Sequence, residues 1–261
     1  MKLEVPTLAS LFAKGKKASV VFWVGCAGSF DDRAKKITRA FVKIMNHTQT
    51  SFAVLGTEES CSGDPAKRSG NEFLFQTQAL QNITTLDKYG VTKIVTTCPH
   101  CFNTLKNEYP ELGGNYKVMH HTQFLKSLIK EGSLKIEGGK YKGKRITFHD
   151  PCYLGRANKI FEAPRSLIKK LDAELVEMKS CKTNGLCCGA GGAQMFKDAE
   201  EGTKEVNIER TEQALDTQPS IIAAACPFCN TMMTDGIKIK KHDDSVKIMD
   251  VAELIANANN L

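Results

Sequence analysis

Residues 94–101 read Ile-Val-Thr-Thr-Cys-Pro-His-Cys, and residues 222–229 read Ile-Ala-Ala-Ala-Cys-Pro-Phe-Cys. Each stretch is a short apolar run that leads directly into a Cys-Pro-x-Cys motif. Proline is well tolerated in the first turn of a helix, so each stretch predicts a buried strand followed at once by a helix. The recurrence of one strand-to-helix unit in a single chain indicates an internal duplication.

The duplication extends in both directions from these motifs. Cys26 and Cys61 stand 35 residues apart, as do Cys152 and Cys187. Downstream, the Lys-Val-Met of residues 117–119 corresponds to the Lys-Ile-Met of residues 247–249. We therefore predict two homologous halves, residues 1–131 and 145–261, joined by a linker over residues 132–144. The first repeat is degenerate, with Cys-Ser-Gly at residues 61–63, whereas the second is complete, with Cys-Cys-Gly at residues 187–189.

Both halves show strands alternating with helices, which predicts the α/β class with mainly parallel sheets. The predicted strands cover residues 19–24, 51–55, 93–97, 145–149, 174–178 and 220–225. The predicted helices cover residues 31–46, 71–89, 163–171 and 196–215, and two more begin at Pro99 and Pro227. In such folds, ligands bind at the carboxyl ends of strands and the amino ends of helices, which is where the cysteines fall.

The composition narrows the class of protein. The chain has 261 residues, 36 Lys and Arg, 29 Asp and Glu, a net charge of +7 and ten cysteines. A chain of this length builds a core without disulfides, so metal ligation is the leading interpretation of the cysteines. The basic residues are scattered and match no nucleic-acid-binding motif, and no apolar stretch approaches the roughly 20 residues needed to cross a bilayer. We expect a cytoplasmic protein with reduced thiols, no nucleic-acid partner and no direct membrane span.

The second half has more thiols than a structural zinc requires. Five cysteines are expected to converge from three strand-to-helix turns: Cys152, Cys187, Cys188, Cys226 and Cys229. A tetrahedral zinc takes four ligands, and two adjacent cysteines reach two irons of a cluster more easily than one metal. The glycine-rich turn that begins at Gly189 lets the backbone approach a bulky inorganic group. The second half is therefore predicted to hold an iron–sulfur cluster.

The first half offers only four matching thiols, because Ser62 stands where the second half has Cys188. By number, these suit a [4Fe–4S] cluster or a zinc equally: Cys26, Cys61, Cys98 and Cys101. The cysteines at residues 98, 101, 226 and 229 lie at predicted helix amino ends. The helix dipole there is expected to lower their pKa and to favour the thiolate.

The spacing of these cysteines, with Cys-Cys-Gly and Cys-Pro-x-Cys, resembles the cysteine-rich CCG domain. Its tandem form resembles the B subunit of heterodisulfide reductase and the related iron–sulfur oxidoreductases. The resemblance rests on residues 149–156, His-Asp-Pro-Cys-Tyr-Leu-Gly-Arg, and residues 187–192, Cys-Cys-Gly-Ala-Gly-Gly. It implies a non-cubane [4Fe–4S] cluster on the five second-half cysteines, with Cys187 and Cys188 in the reaction. Ser62 leaves open whether the first site holds a second [4Fe–4S] cluster or zinc.

The resemblance also implies a role within a redox complex. The chain has no ferredoxin-type cysteine run, so a ferredoxin-like iron–sulfur subunit, membrane-anchored or linked to a flavoprotein, is expected as partner. Such a partner would bring the protein to the periphery of the inner membrane. We expect electron transfer to or from a disulfide, a quinone or a flavin, in an oxidoreductase that requires partner subunits.

Two other functions fit parts of the pattern. The first is a zinc-stabilised protein-interaction module, and the second is a metal-free thiol–disulfide oxidoreductase, favoured by two C-x-x-C motifs in an α/β setting. Among single residues, His149 ends a strand beside Cys152, where it either makes a strand-end hydrogen bond or tunes a cluster or donates a proton. Cys181 is interpreted as a spare thiol, and His100 as a non-ligand because its repeat counterpart is Phe228.

Overall fold

The computed structural model describes residues 3–198 and 201–261. Its named strands form two separate four-stranded sheets in which every pairing is parallel. The first sheet contains β1 (Val20–Trp23), β2 (Phe52–Ala53), β3 (Lys93–Thr96) and β4 (Lys117–His120). The second contains β5 (Arg145–Phe148), β6 (Glu174–Val176), β7 (Ile221–Ala224) and β8 (Lys247–Asp250). The strand orders, β2-β1-β3-β4 and β6-β5-β7-β8, are the same, which confirms the predicted duplicated α/β fold.

Helices alternate with the strands in both halves. In the first half they are α1 (Leu8–Phe12), α2 (Gly25–Phe30), α3 (Asp32–His47), α4 (Asp64–Arg68), α5 (Glu72–Lys88), α6 (Pro99–Asn103) and α7 (His121–Lys130). In the second half they are α8 (Glu162–Lys169), α9 (Val206–Leu215), α10 (Pro227–Ile239) and α11 (Val251–Ala258). Two π-helical turns, Thr104–Glu108 and Tyr153–Ala157, follow cysteine-bearing segments.

One predicted helix is wrong over its first half. The apolar pattern of residues 196–215 predicted a continuous helix, but α9 begins only at Val206. Residues Gln194–Phe196 form a single 3₁₀ turn instead, and Ala199 and Glu200 lie outside the described residues. The stretch just before α9 has Glu201, Gly202 and Glu205, so it lacks apolar side chains for an amphipathic face.

The local sequence explains where the long helices begin. Asp31 caps α3 by accepting a hydrogen bond from the backbone N–H of Ala34 at 2.6 Å. Asn71 caps α5 in the same way, from the N–H of Leu74 at 3.0 Å. Short polar side chains at these positions satisfy backbone donors that have no partner within the helix. The helix starts are therefore encoded locally, in agreement with their predicted positions.

The two halves pack reciprocally around one apolar cluster. Helix α3 of the first half packs against α11 of the second, and α8, the counterpart of α3, packs against α7. Arg33 crosses between the halves with two hydrogen bonds to the carboxylate of Glu253, at 2.7 and 2.8 Å. His121 Nε2 lies 3.0 Å from Asp250 Oδ1, and both side chains are fully buried. His121 therefore lies between the two halves.

No helix among the described residues combines the length and the apolar character needed to cross a membrane. The cysteines of the two thiol sets lie on segments that follow β1, β2 and β3 in the first half and β5, β6 and β7 in the second. These segments begin at the carboxyl ends of the strands, the sheet edge at which the predicted ligands were expected to gather.

Candidate metal centre

The five predicted thiols of the second half lie on three segments that follow β5, β6 and β7. Cys188, Cys226 and Cys229 are buried, and Cys152 and Cys187 are half-buried. The sulfur atoms of Cys188 and Cys229 are 3.2 Å apart. The thiols of three further pairs lie close enough to shift each other's pKa: Cys152 and Cys187, Cys187 and Cys188, and Cys226 and Cys229. The structure thus brings together all five side chains that the sequence selected.

Backbone and thiol donors converge on Cys187. The thiols of Cys152 and Cys188 hydrogen-bond to its sulfur, and the N–H of Gly189 donates to it at 3.3 Å. These hydrogen bonds lower the pKa of the Cys187 thiol well below its usual value. Gly189 has a φ of +90°, a conformation that few L side chains adopt, and this turn directs its N–H at the sulfur. Cys187 is therefore prepared for the thiolate form that binds metal.

His149 lies against the same thiols with a defined tautomer. Arg210 Nε donates a hydrogen bond to His149 Nδ1 at 3.0 Å. Because an arginine is always protonated, Nδ1 must be the acceptor and the ring proton resides on Nε2. Burial, helped by the charge of Arg210, lowers the pKa of His149 to about 3, so the ring is neutral. Within the described chain, Nε2 is a buried donor without a partner.

This imidazole is close enough to interact with sulfur. One ring nitrogen of His149 and the sulfur atoms of Cys188 and Cys229 all lie within 4.8 Å of one another. The hydrogen bond from Arg210 to Nδ1 matches the first expected role of His149, a hydrogen bond at the end of the strand. Tuning of a cluster and proton donation stay predictions.

The first half repeats the arrangement with four thiols. Cys26 hydrogen-bonds to Cys61 and lowers the pKa of the Cys61 thiol to about 7, with help from the Gly63 N–H at 3.5 Å. Cys98 hydrogen-bonds to Cys101. Ser62, at the position of Cys188, places its Oγ 3.5 Å from the sulfur of Cys101. The first half therefore keeps the geometry of the thiol pairs but replaces the fifth thiol with a hydroxyl.

The two thiol sets meet between the halves. The thiol of Cys98 in the first half lies close enough to that of Cys226 in the second for each to shift the pKa of the other. Both side chains are buried and belong to one apolar cluster with Trp23 and Phe102. The two predicted sites are therefore adjacent in space although their sequences are far apart. Nothing in the spacing of the cysteines predicted this contact.

The expected effect of the helix amino ends is wrong for three of four cysteines. The pKa values of Cys98, Cys101 and Cys229 are raised well above the usual range. Burial and neighbouring thiols disfavour a further negative charge there. Their effect on the pKa outweighs that of the helix amino ends. Only Cys226 follows the expectation: burial opposes its ionisation, but hydrogen bonds from Cys229 and Cys98 lower its pKa to about 6.

These thiols fit a polynuclear cationic group. Buried thiols crowded to 3.2 Å resist joint ionisation unless a cation compensates their charge, and metal binding supplies that compensation as the protons leave. Five sulfur atoms on three segments exceed the four positions of a tetrahedral zinc. The neutral Nε2–H of His149 adds a donor suited to a sulfur ligand.

Two carboxylates near the site have partners that the sequence did not indicate. Asp150 accepts hydrogen bonds from both terminal nitrogens of Arg165, at 2.7 and 2.8 Å, and from the backbone N–H of Lys182 at 2.7 Å. Glu59 accepts from the N–H groups of Val24 and Gly25, at 3.1 and 2.6 Å, just before Cys26. These partners are distant in sequence, so no local motif indicated the contacts.

Cys181 lies outside the network of thiol hydrogen bonds in the described residues. It precedes a 3₁₀ turn, is half-buried, and has a pKa raised by burial and by the charge of Glu177. The interpretation of Cys181 as a spare thiol stays a prediction. His100, predicted not to be a ligand, instead hydrogen-bonds through Nδ1 to Asp64 Oδ2 at 2.9 Å.

Known proteins are similar to almost the whole chain. It is 46% identical over 256 residues to "Probable iron-sulfur-binding oxidoreductase FadF" of Bacillus subtilis (strain 168), covering 98% of this chain and 36% of that protein. It is 44% identical to the EtfAB:quinone oxidoreductase of Syntrophomonas wolfei, over 94% of this chain and 35% of that protein. It is 34% identical to the D subunit of the dihydromethanophenazine:CoB–CoM heterodisulfide reductase of Methanosarcina barkeri, over 94% of this chain and 60% of that protein. The chain thus spans about a third of the length of the first two relatives.

A solved structure shares the fold without sequence similarity. A hypothetical protein from Helicobacter pylori superposes with a TM-score of 0.57 at 7% identity, over 92% of this chain and 48% of that one. The sequence model of the cysteine-rich domain, CCG, matches residues 20–106 and again residues 146–234. These segments contain the two sheets' cysteine-bearing strands and all nine cysteines of the two thiol sets. The chain therefore belongs to the cysteine-rich CCG domain family, in a tandem arrangement of two copies.

Proposed function

We propose that this protein is the iron–sulfur subunit of an oxidoreductase complex and that its redox centre lies in the second half. The observation that carries the proposal is the convergence of five buried or half-buried thiols beside the donor N–H of Gly189 and the neutral imidazole of His149. The named functions of the relatives support it, since they include an iron–sulfur-binding oxidoreductase and a quinone oxidoreductase.

The proposed ligands of the second half are its five converging cysteines: Cys152, Cys187, Cys188, Cys226 and Cys229. A non-cubane [4Fe–4S] cluster bound there would supply one-electron transfer and a site at which sulfur chemistry can occur. Around it, Gly189 donates its N–H to Cys187, and His149, held by Arg210 with its ring proton on Nε2, lies beside Cys188 and Cys229. These donors stabilise negative charge on the sulfur ligands.

The first half is proposed to hold a second metal group on its four thiols, Cys26, Cys61, Cys98 and Cys101. Four thiols suit a [4Fe–4S] cluster or a zinc. The Cys98–Cys226 contact supports a redox group at this site, because it would lie next to the second-half group. The predicted division into residues 1–131, 132–144 and 145–261 assigns each site to its own half.

The chemistry requires a partner and an acceptor. A ferredoxin-like subunit, membrane-anchored or linked to a flavoprotein, would deliver or remove single electrons. A disulfide acceptor takes two electrons and two protons and yields two thiols, whereas a quinone takes the same number and yields a quinol. We place the complex on the cytoplasmic side, peripheral to the inner membrane through that partner.

Metal analysis of anaerobically purified protein tests this function. Iron, zinc and acid-labile sulfide should be measured in wild type, in Cys188→Ser and in the matched control Cys181→Ser. We expect about eight irons for two clusters, or about four irons with one zinc, and a loss of iron and sulfide in Cys188→Ser alone. Zinc without sulfide in wild type would refute the redox function and favour a zinc-stabilised interaction module. Equal losses in both variants would refute the assignment of Cys188.

A further inference from the structure

At one pair of corresponding positions, the first half has polar side chains and the second half has apolar ones. Asp64 corresponds to Ala190, and His100 corresponds to Phe228. In the first half, the pair is joined by the 2.9 Å hydrogen bond between Asp64 Oδ2 and His100 Nδ1. A carboxylate–imidazole pair thus replaces an apolar alanine–phenylalanine pair beside the thiols. Since both residues differ together and contact each other, the difference calls for a joint explanation.

The first half holds this pair rigidly. Arg68 Nε donates to Asp64 Oδ1 at 3.1 Å and also pairs with Glu108, while Thr104 Oγ1 lies 3.4 Å from Asp64 Oδ1. Asp64 and His100 are only 4% and 6% exposed. A buried carboxylate with this many donors has a single favourable orientation, because any other leaves charge unpaired. The orientation of the His100 ring is therefore determined by first-half residues.

The remaining surface of the ring contacts the second half. The ring of Tyr153 lies with its centroid 4.7 Å from that of His100, and the ring of Phe228 lies at 5.4 Å. A Cβ built on Gly191 would be 3.9 Å from His100 Cε1, so the backbone there is close to the imidazole. Tyr153 follows Cys152, Gly191 follows the Cys187–Cys188 pair, and Phe228 lies between Cys226 and Cys229.

One first-half side chain therefore packs against two of the three segments that carry the five second-half cysteines and lies close to the third. We propose that His100, held by Asp64, is a positioning residue for the second-half metal centre, so that the first half builds part of the second half's site. This inference rests on the proposed function. Residues outside the ligand set orient the ligands and adjust the metal's properties, and a fixed imidazole beside three ligand segments is placed for that role.

The repeat itself supplies the test variants. His100→Phe introduces the second-half residue, keeps an aromatic ring and removes the hydrogen bond to Asp64. Asp64→Asn keeps the volume of the side chain and removes its charge. The matched control is His121→Phe, which breaks a second buried histidine–aspartate contact, the one that joins the two halves at Asp250.

The readouts are the low-temperature electron paramagnetic resonance spectrum and the rate at which iron is released to an excess of chelator. We expect wild-type iron and sulfide content in all purified variants. In His100→Phe we expect a shifted spectrum and iron release about tenfold faster, with a smaller effect of the same sign in Asp64→Asn. His121→Phe should lower the melting temperature but retain the wild-type spectrum and release rate.

The outcomes distinguish the positioning role of His100 from the proposed iron–sulfur function. Wild-type spectra and release rates in both His100→Phe and Asp64→Asn would overturn the positioning role while leaving the iron–sulfur function intact. Equal acceleration in His121→Phe would also overturn it, because a general loosening of the halves would then explain the effect. Wild-type protein without iron and sulfide would refute the proposed function and this inference together.

Discussion

The buried ion pair beneath the second-half site gives the sharpest stability prediction. Asp150 and Arg165 are 3% and 2% exposed, and two hydrogen bonds of 2.7 and 2.8 Å join them. Asp150 also accepts a hydrogen bond of 2.7 Å from the backbone N–H of Lys182. This bond connects the segment leading to Cys187 with the end of β5. Asp150→Ala removes all three hydrogen bonds. We expect it to weaken both folding and iron retention.

The size of the expected loss of unfolding free energy depends on the contacts that Arg165 retains. Breaking a buried ion pair costs about 3–5 kcal/mol when the remaining charge is left unpaired. Arg165 retains the carboxylate of Glu177, at 2.6 and 2.8 Å, so its charge stays partly compensated. We therefore expect a loss of unfolding free energy near the lower limit, about 3 kcal/mol. The exposed pair between Arg145 and Glu174, 42% and 57% exposed, is the matched comparison.

Urea unfolding under anaerobic conditions, followed by circular dichroism, measures both variants. Glu174→Ala should lower the free energy of unfolding by less than about 1 kcal/mol, because exposed ion pairs contribute little. A loss below about 1 kcal/mol in Asp150→Ala, equal to that in Glu174→Ala, would refute the reasoning from burial.

Three further predictions concern the thiol sets. Ser62→Cys restores the fifth thiol of the first half and should raise its iron and sulfide content or alter its spectrum; an unchanged metal analysis and spectrum would contradict this. Gly63→Ala should lower the melting temperature, because Gly63 has a φ of +87° and a Cβ there would lie 2.7 Å from the ring of Phe75. An unchanged melting curve would contradict this prediction. Arg210→Met should shift the spectrum of the second-half centre, since Nδ1 of His149 loses its donor; a wild-type spectrum there would show that the tautomer has no influence.

Much of the site was accessible from the repeat. The cysteine spacings identified both thiol sets, and the strand-to-helix motifs placed them at the carboxyl edge of the sheets, where the structure has them. The prediction of low pKa values at Cys98, Cys101 and Cys229 was wrong because it considered the helix ends without the burial and crowding of the thiols. That these cysteines bind metal stays a prediction.

The duplicated α/β order follows from the sequence alone, because apolar periodicity and capping residues act over a few positions. The positions of the thiols in that order follow from the sequence as well. Tertiary packing is what brings Cys98 to Cys226, Arg210 to Nδ1 of His149, and His100 to three segments of the other half. These contacts join residues far apart along the chain. They arise from the packing of two halves against each other, for which local patterns carry no information.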